Sequence, residues 1–451
     1  MQKNLLMKAA LVAALFLLLQ LPLQMIDGLV SERAGRQREV VQDIAAGSSG
    51  RQVFAGPILT VPYVEEYEET VVEEKNNKSV SRTEKKRIAR AAHFFPADTG
   101  INGSIGVGTK HRGLFKARVL NWQATIQGEF VMDGRFDFTR TRENSRLARG
   151  TPFVSFALAD PRGLGTSSEF LWHGTRVTLA RGTELPAISA GAHALLPDFD
   201  PGRAARIPFL LKLNLQGTES LAVLPLGDAT RMRLASDWPH PSFGGKFLPA
   251  QDSRVSQAGF DAEWNVSGLA SGAQAQFLAA TRDGKDCLAG ACPDRIEVRF
   301  VEPIDIYSLS DRALKYGFLF IGLTFAAFLS FEIIKRLPIH PAQYFLVGVA
   351  LATFFLLLIG LSEHLPFWAA YLAAASACIS LLGFYLSAVL ESRTRGISFA
   401  ALLTALYAAL YGLLISEDNA LLLGSLLVFG CVALVLVLTR RIDWYAIGPV
   451  R

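Results

Sequence analysis

Histidine, cysteine and charge within apolar runs are what this sequence has least of. Its 451 residues include 7 histidines and 4 cysteines. The histidines outside the long apolar runs of the last third, His93, His111, His173, His193 and His240, stand singly. None makes an HExxH or HxH spacing, and no GxSxG or SxxK motif occurs. No metal, cofactor or catalytic group is therefore expected from local motifs. The net charge of +5 comes without a basic cluster interleaved with aromatics, which argues against nucleic acid as a partner. The centres of the long apolar runs hold no Asp, Glu, Lys, Arg or His. A charge there costs roughly 2.5–3.5 kcal/mol and is kept only for use, so a coupled transporter is disfavoured.

What the chain does have is apolar length. Five runs close the sequence, at 314–334, 344–361, 367–390, 397–415 and 420–438. At 1.5 Å per residue, each matches a hydrocarbon core roughly 30 Å thick. A sixth run, 5–26, follows Lys3, carries Lys8 and lacks an Ala-x-Ala site, so it reads as a retained anchor. Lys335, Arg336, Arg393, Arg395, Arg440 and Arg441 alternate with Glu363, Glu417 and Asp418 at the run ends. Cationic ends stay cytoplasmic, which places both termini inside and the long insert outside. Glu332, a turn from Lys335, is read as snorkelling toward it and pairing with it. Asp311 and Asp418 are read as caps at the starts of two outward-to-inward helices. Ala369, Ala370, Ala373, Ala374 and Ala377 suit close helix packing, and the chain is a candidate homo-oligomer.

The fold expected is an α-helical membrane bundle of six transmembrane helices plus a large, mainly-β, sandwich-like external domain. Helix 1 takes 1–26, an amphipathic stalk and linker 27–56, the β-rich domain 57–313, five helices 314–438, and a cytoplasmic tail 439–451. Period-two alternation marks strands at 211–215, 260–266 and 296–300, with weaker ones at 124–132, 153–159, 176–179 and 230–235. Helical periodicity largely disappears across the insert. The acidic arm from Glu65 to Glu74 and the basic arm from Lys75 to Arg90 predict a hairpin turning at Asn76-Asn77. That turn sets Glu68 opposite Lys85 and Glu66 opposite Arg87. Such an arm is either a solvated charge ladder or a dock for a charged partner.

Cys287 and Cys292, outside the membrane and five residues apart, predict a disulfide. Cys378 and Cys431 lie in apolar runs, where cysteine acts as a small apolar residue. Trp238, Pro239, His240, Pro241 and Phe243 form a stretch whose prolines restrict the backbone to one defined loop. This loop is either an interaction surface or a cap on the open end of a sandwich.

A string of motifs then carries a resemblance. Gly56-Pro57-Ile58-Leu59, Asp237-Trp238-Pro239-His240-Pro241-Ser242-Phe243, Ser310 to Tyr316, Glu332, His340-Pro341-x-Gln343-Tyr344, Ser362-Glu363-His364, Ala420 to Gly424 and Arg441 to Tyr445 occur in this order. With them the chain resembles the CreD family of bacterial inner-membrane proteins along essentially its whole length. The least family-like parts are a 102–113 loop and the 283–292 segment. The resemblance implies a multi-pass inner-membrane location with a periplasmic domain. It also implies a part in cell-envelope integrity under a stress-responsive two-component system, with effects on colicin and β-lactam susceptibility. It brings no catalytic residue or cofactor. The reading is a non-enzymatic membrane protein whose partners are the lipid bilayer and an envelope protein or glycan. The alternatives are a membrane-tethered envelope-modifying enzyme and, third, a transporter or sensor.

Overall fold

The computed structural model describes residues 2–75, 78–134, 138–300, 302, 305–335, 339–416 and 419–440. The Asn76-Asn77 turn, the 336–338 connection, Glu417-Asp418 and the motif at 441–445 lie outside the described residues. The chain forms two compact units, one of residues 1–38 with 303–451 and one of residues 39–302.

The first unit is helical. Helices α1 (Gln2–Leu18) and α2 (Gln20–Gly47) run on with a break at Leu19. Pro22 has no N–H for the Leu18 carbonyl, which accounts for the interruption there. After the β-rich unit, which contributes α3 (Ala273–Arg282), come α4 (Ile306–Lys335), α5 (Pro341–Ser362), α6 (Phe367–Val389), α7 (Arg393–Ile415) and α8 (Ala420–Thr439). Among the described residues, five helices are long and apolar enough to cross a membrane: Ala10–Gly47, Ile306–Ser330, Pro341–Ser362, Phe367–Val389 and Arg393–Ile415. α8 adds a further 20 residues. α4 starts about two turns before the apolar run does, so Asp311 lies inside it and pairs with Lys315 at 2.7 Å instead of capping. The start was misplaced because the polar first turns carry no hydropathy signal.

Aromatic rings fill the interior of the helical unit. Tyr407 packs against Phe320 at 4.6 Å and Phe354 at 4.7 Å between ring centres. Its hydroxyl donates to Cys378 Sγ at 3.1 Å, and the Tyr371 hydroxyl donates to the Tyr407 carbonyl at 2.8 Å. Buried polar tips need such partners most where lipid supplies none.

The second unit is built on two mixed sheets. The first has strand order β14-β17-β12-β1-β6-β10-β9, with β2 and β5 also pairing along β1. Its strands are β1 (Gln52–Lys75), β2 (Lys78–Phe94), β5 (Arg146–Arg149), β6 (Phe153–Leu158), β9 (Ala180–Arg181), β10 (Gly191–Leu195), β12 (Ser220–Leu224), β14 (Pro241–Gly245) and β17 (Ile296–Phe300). The second has order β15-β16-β13-β3-β4-β11-β7-β8. Its strands are β3 (Asp98–Arg112), β4 (Phe115–Met132), β7 (Glu169–Trp172), β8 (Thr175–Val177), β11 (Ala205–Thr218), β13 (Ala229–Ser236), β15 (Arg254–Ser256) and β16 (Gly259–Ser267).

The sheets pack face to face because alternate residues of each are apolar. Phe54 of β1 meets Trp122 of β4 at 5.9 Å, and Phe156 of β6 meets Phe170 of β7 at 5.0 Å, all four rings buried. One continuous core runs from Ile101 and Trp122 through Leu213 to Val298. In β1 a bulge falls between Ala55 and Ile58, where Gly56 adopts φ 140° and a Cβ would lie 2.8 Å from the Ser155 carbonyl. Only glycine tolerates both.

A third layer covers part of the first sheet. Helix α3 (Ala273–Arg282) and the turn Cys287–Ala291 bury Phe277, Leu288, Cys287 and Cys292 against Val53, Ala157 and Leu224. This helix departs from the reading that helical periodicity is lost across the insert; ten residues are too few to stand out in a β-rich background. The segment near 102–113, taken as a loop, is most of the central strand β3. Its glycines hid it, since glycine is depleted in strands.

Candidate functional site

The outer face of the second sheet carries a groove of about 850 Å³, floored by β3, β4 and β11. A shallower trough of about 510 Å³ continues from it and shares Asn102. The register explains the floor. Arg233 faces Glu263 and Asn102, Asn102 faces Thr125, Thr125 faces Lys212, and Lys212 faces Glu169, giving one polar row across six strands. The next row runs Arg231, Gly100, Gln127, Leu210, Leu171. Gly100 and Ser104 keep β3 low, while Gly103 faces inward beneath Trp122, whose Cδ1 would lie 3.2 Å from a Cβ. β3 is thus glycine-rich on one side for depth and on the other for packing.

Charges on this face are largely self-paired. Arg231 binds Asp98 at 3.0 and 3.1 Å, Arg206 binds Glu129 at 2.8 Å, and Lys212 approaches Glu169 at 3.6 Å. Arg233 grips Asp261 through two bonds of 3.0 and 2.6 Å. That hydrogen bond and charge hold the Asp261 carboxyl below its usual range, despite the opposing effect of burial.

The Trp238–Phe243 segment turns its rings inward. Phe243 of edge strand β14 stands edge-on to Phe260 at 5.5 Å and Trp264 at 5.6 Å, so it closes one end of the core. Trp238 lies under the Arg118 guanidinium at 4.4 Å and donates from Nε1 to the His240 carbonyl at 3.0 Å. Pro239, His240 and Pro241 are half-buried beside them. The arrangement is that of a cap, and the sequence motif does not converge with the groove.

The other expected residues are dispersed. Cys287 and Cys292 are joined by a disulfide, with Cα atoms 4.9 Å apart and both side chains buried. His93 Nδ1 lies 3.0 Å from Thr60 Oγ1, and burial lowers its pKa. His193 Nδ1 sits 2.8 Å from the Gly182 carbonyl, while His111 and His173 are exposed. Among the described residues, no group of three or more His, Cys, Asp or Glu could hold a metal ion. The hairpin places Glu68 opposite Lys85 and Glu66 opposite Arg87.

At the base of that hairpin the first residue of the acidic arm is a buried carboxylate, not a member of the solvated ladder. Glu65 is fully buried and accepts from the Thr141 N–H at 2.6 Å, Thr141 Oγ1 at 2.9 Å, the Arg142 N–H at 3.2 Å and Arg90 Nε at 3.2 Å. Burial raises its pKa, but the bonds from Thr141 and the Arg142 N–H are among those that outweigh burial and bring it to about 2. It ties the 140–142 loop onto β1.

The family described as "Inner membrane protein CreD" matches residues 4–445. Over 433 residues the chain is 36% identical to "Inner membrane protein CreD" of Escherichia coli (strain K12), covering 95% of this chain and 91% of that protein. The chain belongs to the CreD family. It is therefore a multi-pass inner membrane protein, with several apolar helices and a β-rich unit.

In this CreD chain the described part of the helical unit holds a buried carboxylate, Glu332, and a partly buried one, Glu363, each at a helix C-terminus where the dipole disfavours negative charge. Glu332, one turn from the end of α4, was assigned to Lys335. The structure pairs it with Lys8 of α1, while the Lys335 side chain lies outside what is described. Its second oxygen accepts from the Tyr344 hydroxyl at 2.7 Å, and Lys8 also donates to the Ile339 carbonyl at 2.7 Å. Sequence proximity favours Lys335, but Glu332 is buried, and among the described side chains Lys8 of α1 is the cation that reaches it. Glu363, at the C-cap of α5, faces Arg33 of α2 at 3.5 Å and accepts from the Tyr307 hydroxyl at 3.3 Å. Lys8 and Arg33 are about 37 Å apart along a helix, a little more than the roughly 30 Å hydrocarbon core. The amino-terminal helical segment is clipped to the unit near both ends.

Proposed function

We propose that this protein is a non-enzymatic inner-membrane component of cell-envelope maintenance that acts by binding through its β-rich unit. In this reading the membrane unit is a six-span scaffold, with α8 as the sixth span and both termini cytoplasmic. The β-rich unit is inserted between the first and second spans and faces the periplasm. Retention of the first helix is supported by the Lys8–Glu332 pair, which a leader cleaved after the 5–26 run would leave as an uncompensated carboxylate. The alternation of Lys and Arg with Glu at the helix ends supports the orientation. The observation that carries the binding role is the groove of about 850 Å³ on the second sheet, a size typical of ligand sites.

Two measurements test this together. Reporter fusions after Leu390 and Arg440 should register as cytoplasmic, and one at Ser256 as periplasmic. A groove-filling Gly100→Phe variant, made at normal level in the membrane, should fail to restore envelope-stress resistance to a deletion strain. Full complementation by that variant would remove the groove from the function. Loss of complementation on replacing any one of the exposed His111 and His173 by Ala would point to catalysis instead.

A further inference from the structure

Resting on the reading that the groove is the working surface, we infer that it binds an uncharged acetamido-sugar chain, as in the glycan strands of the cell wall. Three features of the groove select this chemistry. The first is what its cations are doing. Arg231 and Arg233 are each held by a carboxylate of the protein, the groove's Glu129 is in turn held by Arg206 beside it, and Glu263 adds a negative charge at the edge. A phosphate-rich or acidic polymer needs cations free to form bidentate pairs. A basic peptide would find those carboxylates already occupied.

The second feature is the floor. Asn102, Gln123, Thr125 and Gln127 face the groove and its continuation, and their side-chain amides and hydroxyl have no protein partner among the described residues. Amides and hydroxyls both donate and accept, as sugar hydroxyls and acetamido groups do. Gly100 and Ser104 leave the sheet low enough for a flat ring to lie against it. A Cβ at Gly100 would come no closer than 3.7 Å to a neighbour, so the depression is open space and not a packing requirement.

The third feature is an apolar step. Pro208, Leu210 and Leu171 line one end beside Gln127. This pairs a surface for an acetamido methyl with an amide for its carbonyl or N–H. From β13 across β3, β4 and β11 to β7 the face measures about 19 Å at strand spacing, enough for a short oligosaccharide.

The test is titration of the full-length protein in detergent with tetra-N-acetylchitotetraose, followed by calorimetry. Saturable binding is expected, abolished by Gly100→Phe and weakened about tenfold by Asn102→Ala or Gln127→Ala, with unchanged melting of each variant. Leu195→Ser, at an exposed position on β10 of the first sheet, should bind as the parent does. Absence of saturation overturns the inference, as does saturation that survives Gly100→Phe. Preference for inorganic polyphosphate or an acidic peptide over the oligosaccharide also overturns it. If Gly100→Phe abolishes complementation while the parent binds no oligosaccharide, the ligand class fails and the proposed function stands.

Discussion

Replacing Lys8 should destabilise the helical unit more than replacing its partner Glu332, and the asymmetry can be worked out from burial. Lys8 keeps 23% of its side chain exposed, Glu332 only 10%. Lys8→Met strands a carboxylate between α1, α4 and α5 with the Tyr344 hydroxyl as its remaining donor among the described residues. Breaking a buried pair in this way costs about 3 kcal/mol, the low end of the range for such pairs. Glu332→Gln instead strands an ammonium that can swing toward water, and its amide still accepts from Tyr344, so about 1–2 kcal/mol is expected. The Lys8→Met/Glu332→Gln double variant should recover part of the loss and lie above Lys8→Met alone, because no unpaired buried charge remains. Equilibrium unfolding of the detergent-solubilised protein by sodium dodecyl sulfate, followed through helix content, reads all three. Single variants within about 0.5 kcal/mol of the parent, or a double variant equal to the sum of the singles, would refute the pairing as a structural clip.

Three further outcomes are expected. Glu65 has its folded-state pKa depressed from the ordinary 4.5 to about 2, so it stabilises the fold above the ordinary value. That contribution fades as pH falls from about 4.5 toward 2; proteolysis of the 140–142 loop should rise over this window in the parent, and Glu65→Gln should show the raised cleavage already at pH 7. Replacing Cys287 and Cys292 together by Ala should lower stability of the β-rich unit by about 2 kcal/mol in the chain-entropy model, and in the parent both cysteines should be alkylated only after a reductant has opened the disulfide. Gly396→Val should separate α6 from α7, since a Cβ there would meet the Ser387 Cα at 2.8 Å; a drop in thermal stability with no change in the β-rich unit's unfolding is the expected reading.

Hydropathy and period-two alternation are local properties, and they carried the apolar helices, the strands near 211–215, 260–266 and 296–300, and the charge register of the β1–β2 hairpin. Each depends on residues close together in sequence or on one turn. The groove was not legible in this way. Its floor combines β3, β4, β11 and β13, and its central strand was hidden because glycine there serves depth and close packing at once. The Trp238 loop is open to two readings in the sequence, interaction surface or cap, because prolines and aromatics say that a loop is rigid, not which way its rings face; Phe243 meets Phe260 and Trp264, supplied by another strand.

What the sequence by itself determined is which segments are long and apolar enough for lipid and which alternate like strands. The tertiary structure decided which cation meets Glu332, which strands neighbour one another, and where a polar face is left uncovered. Hydrophobic patterning sets which face of an element is buried, with an energy that is non-directional. The pairing of a buried charge or the depth of a groove depends on atoms hundreds of residues apart, such as Lys8 and Glu332, that only the packed fold brings within a bond length of each other.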